Sequence, residues 1–91
     1  MGHSEILVLV VRAVEAALGR RLGSVTEETP VSALGLDSVG LIEVVADLEE
    51  ALAIRIPDGE LTGLVSVRDV CELVSRAVDE RDARARVEPA A

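Results

Sequence analysis

Apolar side chains recur three and four residues apart along three stretches of this chain, and that spacing constrains the fold most. Ile6, Leu7, Val10, Val11, Val14 and Leu18 form one stripe; Ile42, Val45, Leu48 and Leu52 form a second; Val67, Val70, Cys71, Val74 and Val78 form a third. That period places each set on one face of an α-helix, and no segment carries a defensible strand pattern. Apolar residues make up 49% of the 91 residues, yet there is no Phe, Tyr or Trp. The core must therefore be built from Val, Leu, Ile and Ala, which suits closely packed helices. A chain this short makes one small domain near the lower limit for an unassisted core. The expected fold is all-α: a small antiparallel four-helix bundle of three long helices and one short one.

Local signals divide the chain. Met1-Gly2-His3 (residues 1–3) reads as a tag remnant, and Ser4 is placed to cap the first helix, with Glu5 favourable in its first turn. Gly19 and Gly23 bracket that helix's end. The connection from Ser24 to Asp37 holds Pro30 and two threonines, too long and polar for a tight turn, and Val25, Val31 and Leu34 should pin it. The second helix should run from about Ser38 to Ala53, with Glu43, Asp47 and Glu50 on its polar face. Pro57 prevents its direct extension, and Asp58-Gly59-Glu60-Leu61 suits the short fourth helix. Ser66-Val67-Arg68-Asp69 has the form of a capping box. Apolar periodicity is lost from Asp79, so residues 4–78 read as the domain and 79–91 as a frayed or disordered tail.

Charge and composition exclude several function classes. The net charge of −8 disfavours nucleic acid and anionic membrane as partners. From Asp37 to Glu60 seven carboxylates (Asp37, Glu43, Asp47, Glu49, Glu50, Asp58, Glu60) face one cation, Arg55. A basic patch on another protein would be drawn there. No stretch approaches the roughly 20 apolar residues that span a bilayer. There is no signal-peptide pattern, and the lone Cys71 excludes an intrachain disulfide; both agree with a cytoplasmic location. Cys71 lies on an apolar face and reads as a small buried hydrophobe.

The same inventory argues against catalysis. Lys and Tyr are absent, and the sole imidazole is His3, so a serine nucleophile has no evident base. There is no Cys/His cluster with metal spacing and no glycine-rich phosphate loop. What remains is Leu34-Gly35-Leu36-Asp37-Ser38-Val39, which sets a primary hydroxyl at a helix N-terminus, where unpaired N–H groups and the helix dipole favour an attached phosphate. Ser38 suits modification by another protein; it could also serve only as a helix cap.

That hexapeptide, with Ile42-Glu43, Leu48-Glu49-Glu50, Ile54-Arg55-Ile56-Pro57-Asp58 and Ser66-Val67-Arg68-Asp69-Val70, resembles the acyl carrier proteins over roughly Ser4 to Val78. The resemblance implies a four-helix bundle and a phosphopantetheinyl transferase that moves 4′-phosphopantetheine from coenzyme A onto Ser38. It further implies acyl groups held as thioesters on that arm and presented to a loading enzyme, a ketosynthase or other acyl-processing enzymes. On the same basis Asp37, Glu43, Asp47, Glu49 and Glu50 would dock basic partners, Val39 and Ala46 would flank the arm, and Asp58 and Glu60 would add contacts. The carrier would be a freestanding monomer, with no metal, no nucleic acid and no membrane.

Some positions depart from the family pattern. Val39 replaces a leucine, Val31 an aromatic residue, and Gly40 an acidic residue common in fatty-acid carriers. These point to polyketide, fatty-acid-like or other specialised metabolism. Two alternatives stay open: an aminoacyl carrier (peptidyl or D-alanyl), and an unmodified acidic helical domain that binds a basic partner.

Overall fold

The computed structural model describes residues 1–87. Three α-helices, α1 (His3–Leu18), α2 (Ser38–Leu52) and α3 (Val67–Val87), are joined by segments that each contain one 3-10 turn, Val31–Leu34 and Asp58–Leu61. The latter is the expected short fourth helix, a single turn of 3-10 geometry. Helix α1 packs against both α2 and α3. The core between them is aliphatic, with Ile6, Val44, Val67, Val74, Val78 and Cys71 fully enclosed and no polar or charged residue buried among the described residues.

The stripes settle into register with one correction. All five residues expected inward on α3 are buried, whereas Ile42 on α2 is 56% exposed and Val44 is buried beside Val45, Leu48 and Leu52. At 100° per residue, 44, 45, 48 and 52 share one face with half-buried Leu41, and Ile42 falls outside that arc.

Both ends of the domain differ from expectation. Helix α1 starts at His3 with Gly2 as its cap residue, and the Glu5 carboxylate accepts the Gly2 N–H at 3.1 Å, so Ser4 lies inside the helix and caps nothing. Helix α3 continues past Asp79 to Val87. Three forces extend it without an apolar stripe. Arg81 donates to the carbonyl of Leu52 and to Asp82, Ala83 and Ala85 are strong helix formers, and Arg84 and Arg86 sit at the negative end of the dipole. The last four residues of the expected tail, 88–91, lie outside the described residues.

The connection after α1 is ordered by backbone pairing. Val31 N–H donates to Val65 O and Val67 N–H to Thr29 O, both at 2.8 Å, a short antiparallel bridge that ties the segment before α2 to the start of α3. Leu34 is buried, while Val25 and Val31 are half-buried against the core.

Candidate functional site

The loop into α2 is shaped by a reversal and a cap. Gly35, at φ 81°, ends the first 3-10 turn in the left-handed region, where a side chain would strain the backbone. Asp37 follows in extended conformation, and its Oδ1 accepts the Gly40 N–H at 2.7 Å. Leu41 N–H donates to Asp37 O at 3.0 Å. The capping residue is therefore Asp37, and Ser38 is the first residue of α2.

That register decides what Ser38 can do. Its side chain is exposed, and among the described residues its hydroxyl has no protein hydrogen-bond partner; the N–H groups of Ser38 and Val39 likewise meet no protein acceptor. A phosphate ester on Oγ would meet uncommitted donors at the positive end of the helix. Among the described residues no imidazole, thiol or amine hydrogen-bonds to the hydroxyl. Cys71 is wholly buried, and burial, with the charges of Glu27 and Glu72 behind it, pushes its thiol up to about 11, so it stays protonated at neutral pH. Among the described residues no cluster of His, Cys, Asp or Glu could hold a metal ion.

Gly40 has a packing role that spacing alone does not reveal. A methyl group at its α-carbon would lie 3.0 Å from Leu36 Cδ2 and 3.3 Å from Asp37 Oδ1. The missing side chain lets Leu36 fold over the first turn of α2 beside the cap. Arg20, at the end of α1, reaches the same loop: its Nη2 would be 3.7 Å from a methyl group on Gly35.

Beside Ser38 runs an open groove of about 280 Å³, lined by Ser38, Leu41 and Ile42 on α2 and by Asp58, Leu61 and Thr62 across from them. Sequence reasoning missed Leu41, Leu61 and Thr62, because the groove forms only when the Asp58 turn folds back toward α2. Along α2, Val39 is 63% exposed and Ile42 56%. Glu43, Ala46, Asp47 and Glu50 are exposed as expected, as are Asp58 and Glu60. Glu49 is the exception. It is half-buried, and its Oε2 accepts the Ile56 N–H at 2.8 Å.

The chain as a whole is similar to several known proteins. A family model described as the phosphopantetheine attachment site matches residues 8–74. An acyl carrier protein homolog of Mycoplasmopsis pulmonis is 40% identical over 52 residues, 57% of this chain and 71% of that protein. The meromycolate extension acyl carrier protein of Mycobacterium tuberculosis is 28% identical over 79 residues, 86% of this chain and 69% of that one. Nodulation protein F of Rhizobium leguminosarum is 35% identical over 77% of this chain and 84% of its own. The crystal structure of an acyl carrier protein from Thermotoga maritima superimposes with a TM-score of 0.80 at 29% identity, covering 88% of this chain and 94% of that chain.

Proposed function

Because the chain belongs to the acyl carrier proteins, whose covalent cofactor is 4′-phosphopantetheine, we propose that Ser38 is the residue that bears the arm. The observation that carries this reading is the uncommitted Ser38 hydroxyl on the first turn of α2, left open because Asp37 does the capping.

A new Oγ–P bond forms at Ser38 as the pyrophosphate of coenzyme A breaks and adenosine 3′,5′-bisphosphate leaves. The Ser38 proton goes to a base on the phosphopantetheinyl transferase, since this chain offers none. The bound arm supplies a terminal thiol that holds acyl groups as thioesters. The chain's own residues then do three things. The Ser38 and Val39 N–H groups would be free donors for the phosphodiester, Asp37 keeps the first turn closed, and the groove of Leu41, Ile42 and Leu61 would offer apolar surface to cargo.

Exposed Glu43, Asp47 and Glu50, with Val39 and Ile42 among them, suit a partner that presents arginine or lysine around an apolar centre. In this reading the chain is not itself a catalyst. It works as a monomer in the cytoplasm, where coenzyme A and its transferase act on it, and it serves a loading enzyme and a ketosynthase or similar acyl-processing enzyme of specialised metabolism.

Intact mass after incubation with coenzyme A and a broad-specificity phosphopantetheinyl transferase tests the assignment. One phosphopantetheine should be gained by the parent and none by Ser38→Ala; no gain by the parent, or a gain that survives the substitution, refutes it. Loading the modified chain with acyl and with aminoacyl donors separates the two carrier classes.

A further inference from the structure

Helices α1 and α2 end in the same way, and the match assigns a role to Glu49. At the end of α1, Gly19 and Arg20 N–H groups donate to Glu15 O, Gly19 lies in the left-handed region at φ 69°, and the Glu15 carboxylate accepts the Leu22 N–H at 2.9 Å. At the end of α2, Ala53 and Ile54 N–H groups donate to Glu49 O, Ala53 lies in the left-handed region at φ 54°, and the Glu49 carboxylate accepts the Ile56 N–H at 2.8 Å. Each helix stops one left-handed residue past its end, and a glutamate reaches the amide seven positions on.

The second closure has a consequence that the first lacks. Ile56 is buried and is followed by Pro57, which has no N–H, and by the Asp58 turn, whose start has no side-chain cap. The Ile56 amide is thus the last backbone donor before the turn that forms the far wall of the groove beside Ser38. We propose that Glu49 is a positioning residue: by holding the Ile56 amide it sets the distance between the Asp58 turn and α2, and so the width of that groove. Glu49 Oε2 is committed in this way, and drawing the carboxylate off toward a partner would strand a part-buried amide. Glu43, Asp47 and Glu50 carry no such commitment and supply the freely movable docking charge of α2. The link to cargo rests on the carrier reading above; the link to the groove wall does not.

Two substitutions separate positioning from docking. Glu49→Gln removes the charge and keeps an acceptor for the Ile56 N–H, whereas Glu49→Ala removes both. On the unmodified chain, amide hydrogen exchange at Ile56 and Glu60 should accelerate about fivefold in Glu49→Ala, the factor equivalent to one ordinary hydrogen bond. Exchange at Leu41 should not change, and Glu49→Gln should match the parent. On the modified chain, hydroxylamine should release a hexanoyl group faster from Glu49→Ala than from the parent or Glu49→Gln. Release of an acetyl group, too short to gain from the groove, should be alike in all three. Equal effects of Gln and Ala would show that the charge matters and overturn the proposal, as would unchanged exchange in Glu49→Ala. A chain that takes no arm refutes the carrier reading instead, and the exchange result still decides for or against Glu49.

Discussion

Ser38 and Ser66 both stand where the chain turns into a long helix, yet they are one register position apart. Ser66 precedes α3 and is committed. Its Oγ accepts the Asp69 N–H at 3.4 Å, and the Asp69 carboxylate reaches back to the N–H groups of Ser66 and Val65 at 3.1 and 2.9 Å. Ser38 follows the cap of α2, and Asp37 satisfies the helix in its place. A serine at a helix start is ambiguous from sequence, since capping is the commonest reason for one. What resolves it is whether a neighbour does the capping. At α2 an aspartate does, and the Ser38 hydroxyl is left without a protein partner among the described residues.

The widest separation between the two serines comes from replacing each in turn. Ser38→Ala should take up no phosphopantetheine while losing little stability. Ser66→Ala should be modified as readily as the parent while losing about 1 kcal/mol in urea unfolding, the usual cost of a lost cap. A next test moves the cap itself. Asp37→Ala should cost about 1–2 kcal/mol and slow uptake, because Ser38 then becomes the nearest side chain able to cap. Asp37→Asn keeps an acceptor for the Gly40 N–H and should recover most of the stability.

Acid should weaken the start of α3. The Val65 and Ser66 N–H groups hold the Asp69 carboxyl below its ordinary 3.8. A group with a lowered folded value contributes stability that is present above 3.8 and is lost as pH falls from there through the folded value. The urea midpoint should therefore drop in that window, and Asp69→Asn should flatten the drop. The smallest effect is expected at Gly40→Ala. Helix propensity favours alanine by about 1 kcal/mol, but the new methyl would meet Leu36 Cδ2 at 3.0 Å. Urea unfolding should show a gain clearly below the propensity value.

Much of this was legible in the sequence because it depends on local pattern. Helical spacing located α2 and α3 and most of the core, and Ser66-Val67-Arg68-Asp69 closes as the capping box it resembles, with aspartate in the usual glutamate position. Ser4 was misread locally, since Gly2 and Glu5, three residues apart, close the start of α1; the other errors depended on partners further along the chain. Helix α3 outlasts its apolar stripe because Arg81 reaches Leu52 O, 29 residues away. Ile42 faces outward because the buried arc of α2 is bounded by Val44 and Val45 and filled by Leu48 and Leu52. Glu49 looks like one more surface acid until Ile56 folds back onto it, although a donor stranded just before Pro57 was a readable hint. The site divides the same way. Asp37 and Ser38 are adjacent and could be read, whereas the wall of Leu61 and Thr62 could not.

The most direct test is to locate the modification after transfer from coenzyme A. Trypsin cuts after Arg21, Arg55 and Arg68, so Ser38 falls in the peptide of residues 22–55 and Ser66 in that of residues 56–68. One phosphopantetheine is expected on the 22–55 peptide, fixed to Ser38 by fragmentation, and none on the 56–68 peptide. A label at Ser66, or on a different serine of the 22–55 peptide, would contradict it.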